Sequence, residues 1–84
     1  MSNQSCFVYV LESDLDGTRY VGITGRLDRR VREHNSGASR STKAKRPWKV
    51  IYKEECETHV EARRREKYLK SGAGRRWLAA RLTE

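Results

Sequence analysis

The sequence predicts a small α/β fold, in which a mainly antiparallel three-stranded sheet is flanked by helices in the order ββαβαα. Two short runs rich in β-branched and aromatic residues are separated by a turn signal, which is typical of a β-hairpin. A third strand-like run and three stretches of helical periodicity complete the pattern. With 84 residues, the chain is expected to form one domain whose core covers about residues 6–82.

The N-terminal hairpin is predicted from the segments CFVYVLES and TRYVGIT. The first run is too short for a helix, so residues 7–12 are expected to form a strand, and SDLDG supplies the turn residues. The returning strand is expected to end near Gly25. Beyond it, Leu27, Val31 and Asn35 form a narrow stripe at helical spacing, which predicts an amphipathic helix with this stripe facing inward.

A polar, basic loop, NSGASRSTKAKRP, then leads to a third predicted strand, WKVIYKEE. Its alternation predicts that Trp48, Val50 and Tyr52 share one face, while Ile51 lies with the neighbouring lysines on the other. We expect Trp48 to belong to the core, and the alternative is that its ring stacks on a nucleic-acid base.

Two helices are predicted after this strand. Thr58 and Glu61 have the spacing of a capping box, which predicts that a helix begins there. This helix is expected to run to about Lys70 and to be stopped by Gly72 just beyond its C-terminus. The segment GRRWLAARL has apolar residues at helical spacing and predicts the final helix.

The charge balance indicates a polyanionic partner. The chain has 19 Lys and Arg residues against 11 Asp and Glu residues, a net charge of +8, and such a field favours nucleic acid. No segment is suited to lie on a membrane or to cross one. Residues 1–15 lack the pattern of a signal peptide. We therefore expect a cytoplasmic protein in which Cys6 and Cys56 are buried, reduced thiols.

Five polar residues are expected close to the core. Arg30 and His34 share a helix face that borders the apolar stripe. Tyr9 and Tyr20 lie on the two strands of the hairpin, and Glu66 occupies a core-facing position of the second helix. Each has a structural alternative, namely a solvated basic face, strand packing or a buried salt bridge. Together they offer an arginine, hydroxyl and imidazole groups and a carboxylate for a divalent ion, which phosphodiester hydrolysis needs.

The same residues carry a resemblance to the GIY-YIG nuclease superfamily. The triplets FVY and YVG, whose tyrosines Tyr9 and Tyr20 are eleven residues apart, resemble its signature. Arg30 follows ten residues after Tyr20, and His34 follows four residues later, as in the next motif of the family. The segment EARRREKYLKSG resembles the motif that supplies the metal-binding glutamate, here Glu66. The chain looks closest to a small stand-alone bacterial branch, related to the eukaryotic junction-resolving subunit.

This resemblance implies a divalent-metal-dependent endonuclease. Glu66 would hold one Mg²⁺ or Mn²⁺ ion, and Arg30 would bridge the phosphate oxygens. Tyr9 would help to deprotonate the attacking water, while Tyr20 and His34 would orient it or share its proton. Tyrosine ordinarily titrates near 10, so its phenolate would need the support of the arginine and the metal.

Three positions depart from the family pattern. Phe7 replaces the glycine of the first triplet, Ile23 stands where some relatives carry a lysine, and an asparagine found beyond the glutamate in some relatives has no evident counterpart. Gly22 retains the glycine of the second triplet, which would let the backbone approach closely at the strand end.

DNA is the expected partner, RNA is an alternative, and branched or flapped DNA is one candidate substrate. Basic side chains of the first helix and the following loop would hold the phosphate backbone without reading sequence. They are Arg26, Arg29, Arg40, Lys43, Lys45 and Arg46. A flexible loop without defined contacts is the alternative. A non-catalytic nucleic-acid-binding module, a nuclease subunit that needs a protein partner and a homodimer also remain open.

Overall fold

The structure is a computed structural model that describes residues 5–83, so the outermost positions of the predicted domain, residues 1–4 and 84, lie outside the described residues. The elements are β1 (Cys6–Ser13), β2 (Arg19–Thr24), α1 (Leu27–Ser36), a short 3₁₀ helix (Lys43–Lys45), β3 (Trp48–Cys56), α2 (His59–Lys70) and α3 (Gly72–Leu82). The predicted order ββαβαα is confirmed, with the 3₁₀ helix as an addition inside the predicted loop. None of the described helices is long and apolar enough to span a bilayer.

The three strands form one antiparallel sheet in the order β2-β1-β3, so β1 is central and β2 is an edge strand. Helix α1 covers one face, where Leu27 and Val31 pack on Tyr9 and Leu11. Asn35 was predicted to continue this inward stripe but is exposed. Its amide instead bonds the backbone of the first residue of β3, with its oxygen 2.6 Å from that N–H, and thereby ties α1 to the sheet.

Helices α2 and α3 cover the opposite face. Val8 and Val10 of β1 pack there against Ala62, Leu69 and Leu78, all of them buried. The two faces therefore have separate clusters, an aliphatic one under α2 and α3 and an aromatic one under α1.

The predicted alternation of β3 is wrong, because the strand contains a β-bulge. Val10 of β1 pairs with Tyr52 and the next residue, Leu11, pairs with Val50, so Ile51 is an additional residue in β3. Beyond the bulge the faces of the strand are exchanged. Tyr52 packs with Ile51 on the α2–α3 side, and Val50 is 38% exposed. Trp48 is buried on the α1 side, as predicted for a core residue.

Serine, rather than glycine, separates α2 from α3. Thr58 caps α2 as predicted, since its hydroxyl accepts a hydrogen bond from the Glu61 amide at 3.1 Å. The helix ends at Lys70, but Gly72 is the first residue of α3 and does not terminate α2. Ser71 lies between the two helices in an extended conformation, and its hydroxyl accepts a bond from the first turn of α3 at 3.1 Å. A serine cap thus allows the sharp helix–helix junction.

Cys6 and Cys56 were expected to be buried, reduced thiols. They pair directly across β1 and β3, and both are buried, free cysteines.

Arg65 connects α2 to two other elements, and its side chain is partly buried. Its guanidinium pairs with Glu54 at 2.9 Å and lies 5.0 Å from the centroid of the Trp77 ring, so it fastens α2 to β3 and α3.

Candidate active site

Tyr9 stands at the centre of the candidate site. It lies on the middle strand, only 1% of the residue is exposed, and its hydroxyl is 2.9 Å from Nε2 of His34. His34 comes from the last turn of α1 and is completely buried, deeper than the core-edge position expected from sequence. The hydrogen bond therefore joins the strand and the helix inside the protein, in a medium of low effective dielectric constant.

Thr42 holds the other side of the imidazole. Its hydroxyl lies 2.8 Å from Nδ1 of His34 and 3.4 Å from the carbonyl oxygen of Ser39. If the hydroxyl donates to that carbonyl, it accepts from Nδ1–H, which leaves Nε2 unprotonated and able to accept from Tyr9. Thr42 is itself fixed, because the Trp48 indole N–H donates to its carbonyl oxygen at 2.8 Å. In this tautomer both ring nitrogens of His34 have a hydrogen-bond partner.

Tyr20 and Gly22 of β2 also belong to the candidate site. Tyr20 packs edge-on against His34, with the ring centroids 5.0 Å apart, and lies 6.3 Å from the Tyr9 ring. Gly22 is the β2 residue directly opposite Tyr9. A Cβ at Gly22 would lie 2.6 Å from the Tyr9 hydroxyl oxygen, so only glycine leaves room for that side chain. The close approach expected at this glycine is therefore made by a side chain of the site.

Arg30 lies beside both tyrosines. Its guanidinium forms an ion pair with Glu33 at 2.9 Å, and a third of its side chain is exposed. The pKa of Arg30 is raised first by the hydrogen bond to Glu33 and also by Tyr9 and Tyr20. The arginine thus faces the phenolic groups on one side and solvent on the other, as a group that binds a phosphate would.

Glu66 approaches the site from α2. Its carboxylate is 14% exposed, Lys70 lies 3.0 Å from it and Arg63 lies 3.8 Å from it. Its negative charge is the smallest of the named contributions to the pKa of Tyr9, which it raises. Glu66 belongs to α2, which covers one face of the sheet, and Arg30 belongs to α1, which covers the other.

Burial controls protonation in this cluster. It raises the pKa of Tyr9 to about 12, although the neighbouring Arg30 opposes that change. Burial also lowers the pKa of His34 below its usual 6.5, and the positive charge of Arg30 acts in the same direction. At neutral pH the site therefore contains a neutral tyrosine that donates to a neutral histidine.

The residues present suit a hard divalent cation. Within residues 5–83, no group of three or more His, Cys, Asp and Glu residues could enclose a metal. Glu66 offers one carboxylate at a partly open position. Mg²⁺ is commonly bound through one or two carboxylates together with water and substrate phosphates, and Mn²⁺ also favours oxygen ligands. The donor chemistry therefore fits such an ion.

The basic residues predicted to bind nucleic acid differ in their surroundings. Arg26, Arg40 and Lys43 are exposed and have no ion pair among the described residues. Arg29 pairs with Glu33 at 3.3 Å. The side chains of Lys45 and Arg46 contact other parts of the protein. The Lys45 ammonium pairs with Asp16 at 3.1 Å, and the Arg46 guanidinium packs against Gly37, in the space that a Cβ of that residue would occupy.

Sequence reasoning missed Thr42 entirely. It stands in a loop of small polar residues, where threonine carries no periodic signal, yet it is 1% exposed. The residue that could have indicated it is Trp48, because a buried indole N–H needs a hydrogen-bond acceptor, which here is the carbonyl oxygen of Thr42.

The chain is similar to proteins of a known family. Residues 5–77 match the model of the GIY-YIG catalytic domain. The chain is 44% identical over 66 residues to the UPF0213 protein DP2720 of Desulfotalea psychrophila and covers 59% of that protein. It is 38% identical over 68 residues to a UPF0213 protein of Staphylococcus aureus and covers 82% of it.

A solved relative has the same fold. The solution structure of the UPF0213 protein BH0048 from Bacillus halodurans is 30% identical, with a TM-score of 0.56 over 90% of this chain and 83% of that one.

Proposed function

Because the chain belongs to the GIY-YIG family, within its small UPF0213 proteins, and a GIY-YIG catalytic domain implies a nuclease, we propose that it is a divalent-metal-dependent endonuclease that hydrolyses phosphodiester bonds in DNA. The observation that carries this proposal is the hydrogen bond between Tyr9 and His34 beside Arg30 and Glu66. A protein that only binds nucleic acid gains nothing from such a buried chain of donors and acceptors.

Tyr9 and His34 would act together as the base. The Tyr9 hydroxyl takes a proton from the attacking water while it passes its own proton to Nε2 of His34. The lowered pKa of His34 keeps Nε2 unprotonated at neutral pH, and Thr42 holds the ring in the required tautomer. Tyr20 packs against the imidazole and keeps it oriented toward the hydroxyl.

Arg30 and Glu66 would act on the scissile phosphate, Arg30 directly and Glu66 through a metal ion. Arg30 offsets the negative charge that develops on the phosphate oxygens, because its guanidinium is partly exposed and adjacent to both tyrosines. Glu66 would hold one Mg²⁺ or Mn²⁺ ion. When bound, that ion polarises the phosphate and stabilises the leaving oxygen.

Exposed basic residues would position the nucleic acid. Arg26 precedes α1, and Arg40 and Lys43 belong to the loop that follows it; all three are exposed and would contact the phosphate backbone without reading bases. Such contacts recognise the shape and charge of the duplex, so branched or flapped DNA, whose backbone is locally distorted, is the proposed substrate class.

Cleavage of labelled duplex, flap and junction DNA with Mg²⁺, Mn²⁺ or EDTA tests the proposal. We expect Glu66→Gln to lower the cleavage rate about 100-fold or more. Glu55→Gln is the matched control, because Glu55 is exposed and has no ion pair among the described residues. Full activity of Glu66→Gln would refute the metal assignment. A wild-type protein that binds every substrate but cuts none is instead a binding module.

A further inference from the structure

A cavity of about 630 Å³ opens beside the candidate site, on the α2–α3 side of the edge strand β2. Its volume is within the range of about 300–1,000 Å³ that is typical of small-ligand sites. Val21 is the partly exposed apolar residue of its lining, whereas Val10, Leu69 and Leu78 at its floor are buried. Tyr20 lines it as well, so the cavity shares a residue with the candidate active site.

Three cations surround this apolar lining. They are Arg19 on β2, Lys70 at the end of α2 and Arg75 in the first turns of α3. Arg75 is exposed and has no ion pair within residues 5–83. Lys70 also contacts Glu66 at 3.0 Å, so the rim of the cavity reaches the residue that would hold the metal.

The lining determines which ligand the cavity suits. The side chains on the rim are hydrogen-bond donors without acceptors, and those of the floor are aliphatic. A ligand therefore needs an anionic group and a flat apolar body of small size. A nucleotide has both, in its phosphate and its base, and the cavity lies next to the place where the scissile phosphate would bind.

We propose that this cavity binds one unstacked nucleotide adjacent to the scissile phosphate, with its base against Val21 and its phosphate on Arg19, Lys70 and Arg75. This inference rests on the proposed nuclease function and adds a substrate class to it. A nucleotide whose base is unpaired enters the cavity, whereas one in a continuous duplex does not. Because aliphatic side chains read no base edge, the four bases bind similarly.

The test measures binding in EDTA, where the proposed cleavage does not occur. Short DNA single strands and blunt duplexes, each with one 2-aminopurine base, are titrated with the full chain at several salt concentrations. We expect tighter binding of the single strand and a rise of 2-aminopurine fluorescence as the base leaves its stack.

Arg75→Ala, with Arg76→Ala as its control, isolates the rim. Both arginines are exposed on α3, but only Arg75 lines the cavity. We expect Arg75→Ala to weaken single-strand binding about tenfold. The slope of log K against log salt should fall in magnitude by about 0.7, the value for one phosphate contact on a single strand. Equal effects of the two substitutions would indicate a diffuse basic surface and overturn the proposal.

Val21→Phe fills the cavity from the edge strand. We expect it to abolish the fluorescence rise while duplex binding is retained, with folding checked by circular dichroism. An unchanged rise would overturn the proposal, and if this variant does not fold, the Arg75→Ala comparison decides alone. Failure of the proposed nuclease function gives a different result. A protein that binds the unstacked base in EDTA but never cuts DNA with Mg²⁺ would support the nucleotide-binding cavity and contradict the nuclease activity.

Discussion

Replacing Gly22 by alanine tests the centre of the site with a single methyl group. The added Cβ would lie 2.6 Å from the Tyr9 hydroxyl oxygen and 2.8 Å from its ring carbon Cζ. Both distances are about 1 Å short of ordinary van der Waals contact. The ring of Tyr9 has no free space to move into, because the residue is 1% exposed and its hydroxyl is bonded to His34.

Two results are therefore expected together. Overpacking of this kind lowers the free energy of unfolding by about 1–3 kcal/mol. Any movement of Tyr9 that relieves the overlap lengthens its 2.9 Å hydrogen bond to His34. Since a displacement of about 1 Å in a catalytic group can reduce a rate about 100-fold, we expect a loss of that order in the cleavage rate of Gly22→Ala.

Urea denaturation and single-turnover cleavage measure the two effects. Gly25→Ala is the matched control, because a Cβ there would find its nearest neighbour, the Ser5 carbonyl oxygen, at 3.9 Å, and the backbone of Gly25 is not left-handed. If Gly22→Ala unfolds at the same urea concentration as Gly25→Ala and cuts DNA equally fast, Tyr9 does not approach β2 as described.

Three further outcomes are expected. Thr42→Val should lower the free energy of unfolding by about 1–3 kcal/mol, because the buried Nδ1 of His34 loses its partner, whereas Thr42→Ser should keep most of the stability and activity in denaturation and cleavage assays. The pKa of His34 is lower in the folded protein than its usual 6.5, so the unfolded chain binds the extra proton first. Stability measured by urea denaturation should then decrease as the pH falls below 6.5, and His34→Gln should remove that part of the slope. The wild-type cleavage rate should also decline as the pH falls below 6.5 and should stay level between about pH 7 and pH 9. A tenfold rise of the rate per pH unit between pH 7 and pH 9 that disappears in Tyr9→Phe would contradict the proton relay.

Local patterns in the sequence were sufficient for most of the fold. The hairpin, the helix periodicities and the Thr58 cap depend on neighbouring residues, and the structure confirms them. The bulge at Ile51 was not predictable, because it is defined by pairing with β1, more than thirty residues away. The same limit applies to Ser71, since whether α2 stops at a glycine or at a capped junction depends on how α3 packs against it.

The candidate site shows the same division. Spacing and residue type selected Tyr9, Arg30 and Glu66, and the charges of Arg30 and Glu66 act on the pKa of Tyr9 in the folded protein. Spacing could not show that His34 is fully buried or that Thr42 bonds its far nitrogen, because both facts depend on how the loop after α1 folds back under Trp48. The residues proposed to act on the substrate were therefore visible in the sequence, while Thr42, which bonds one of them, was not.

The protonation of Tyr9 distinguishes two forms of the proposed mechanism. With a pKa of about 12, formation of the phenolate before the reaction would cost about 7 kcal/mol at pH 7, a factor of about 10⁵ in rate. A relay avoids that cost, because the hydroxyl loses its proton to His34 only as it gains one from water. The fold supplies what the relay needs: a 2.9 Å bond to Nε2, a histidine kept neutral by burial and a hydroxyl on its other nitrogen. Burial, which opposes ionisation of Tyr9 alone, would thus favour the proposed transfer of its proton to His34.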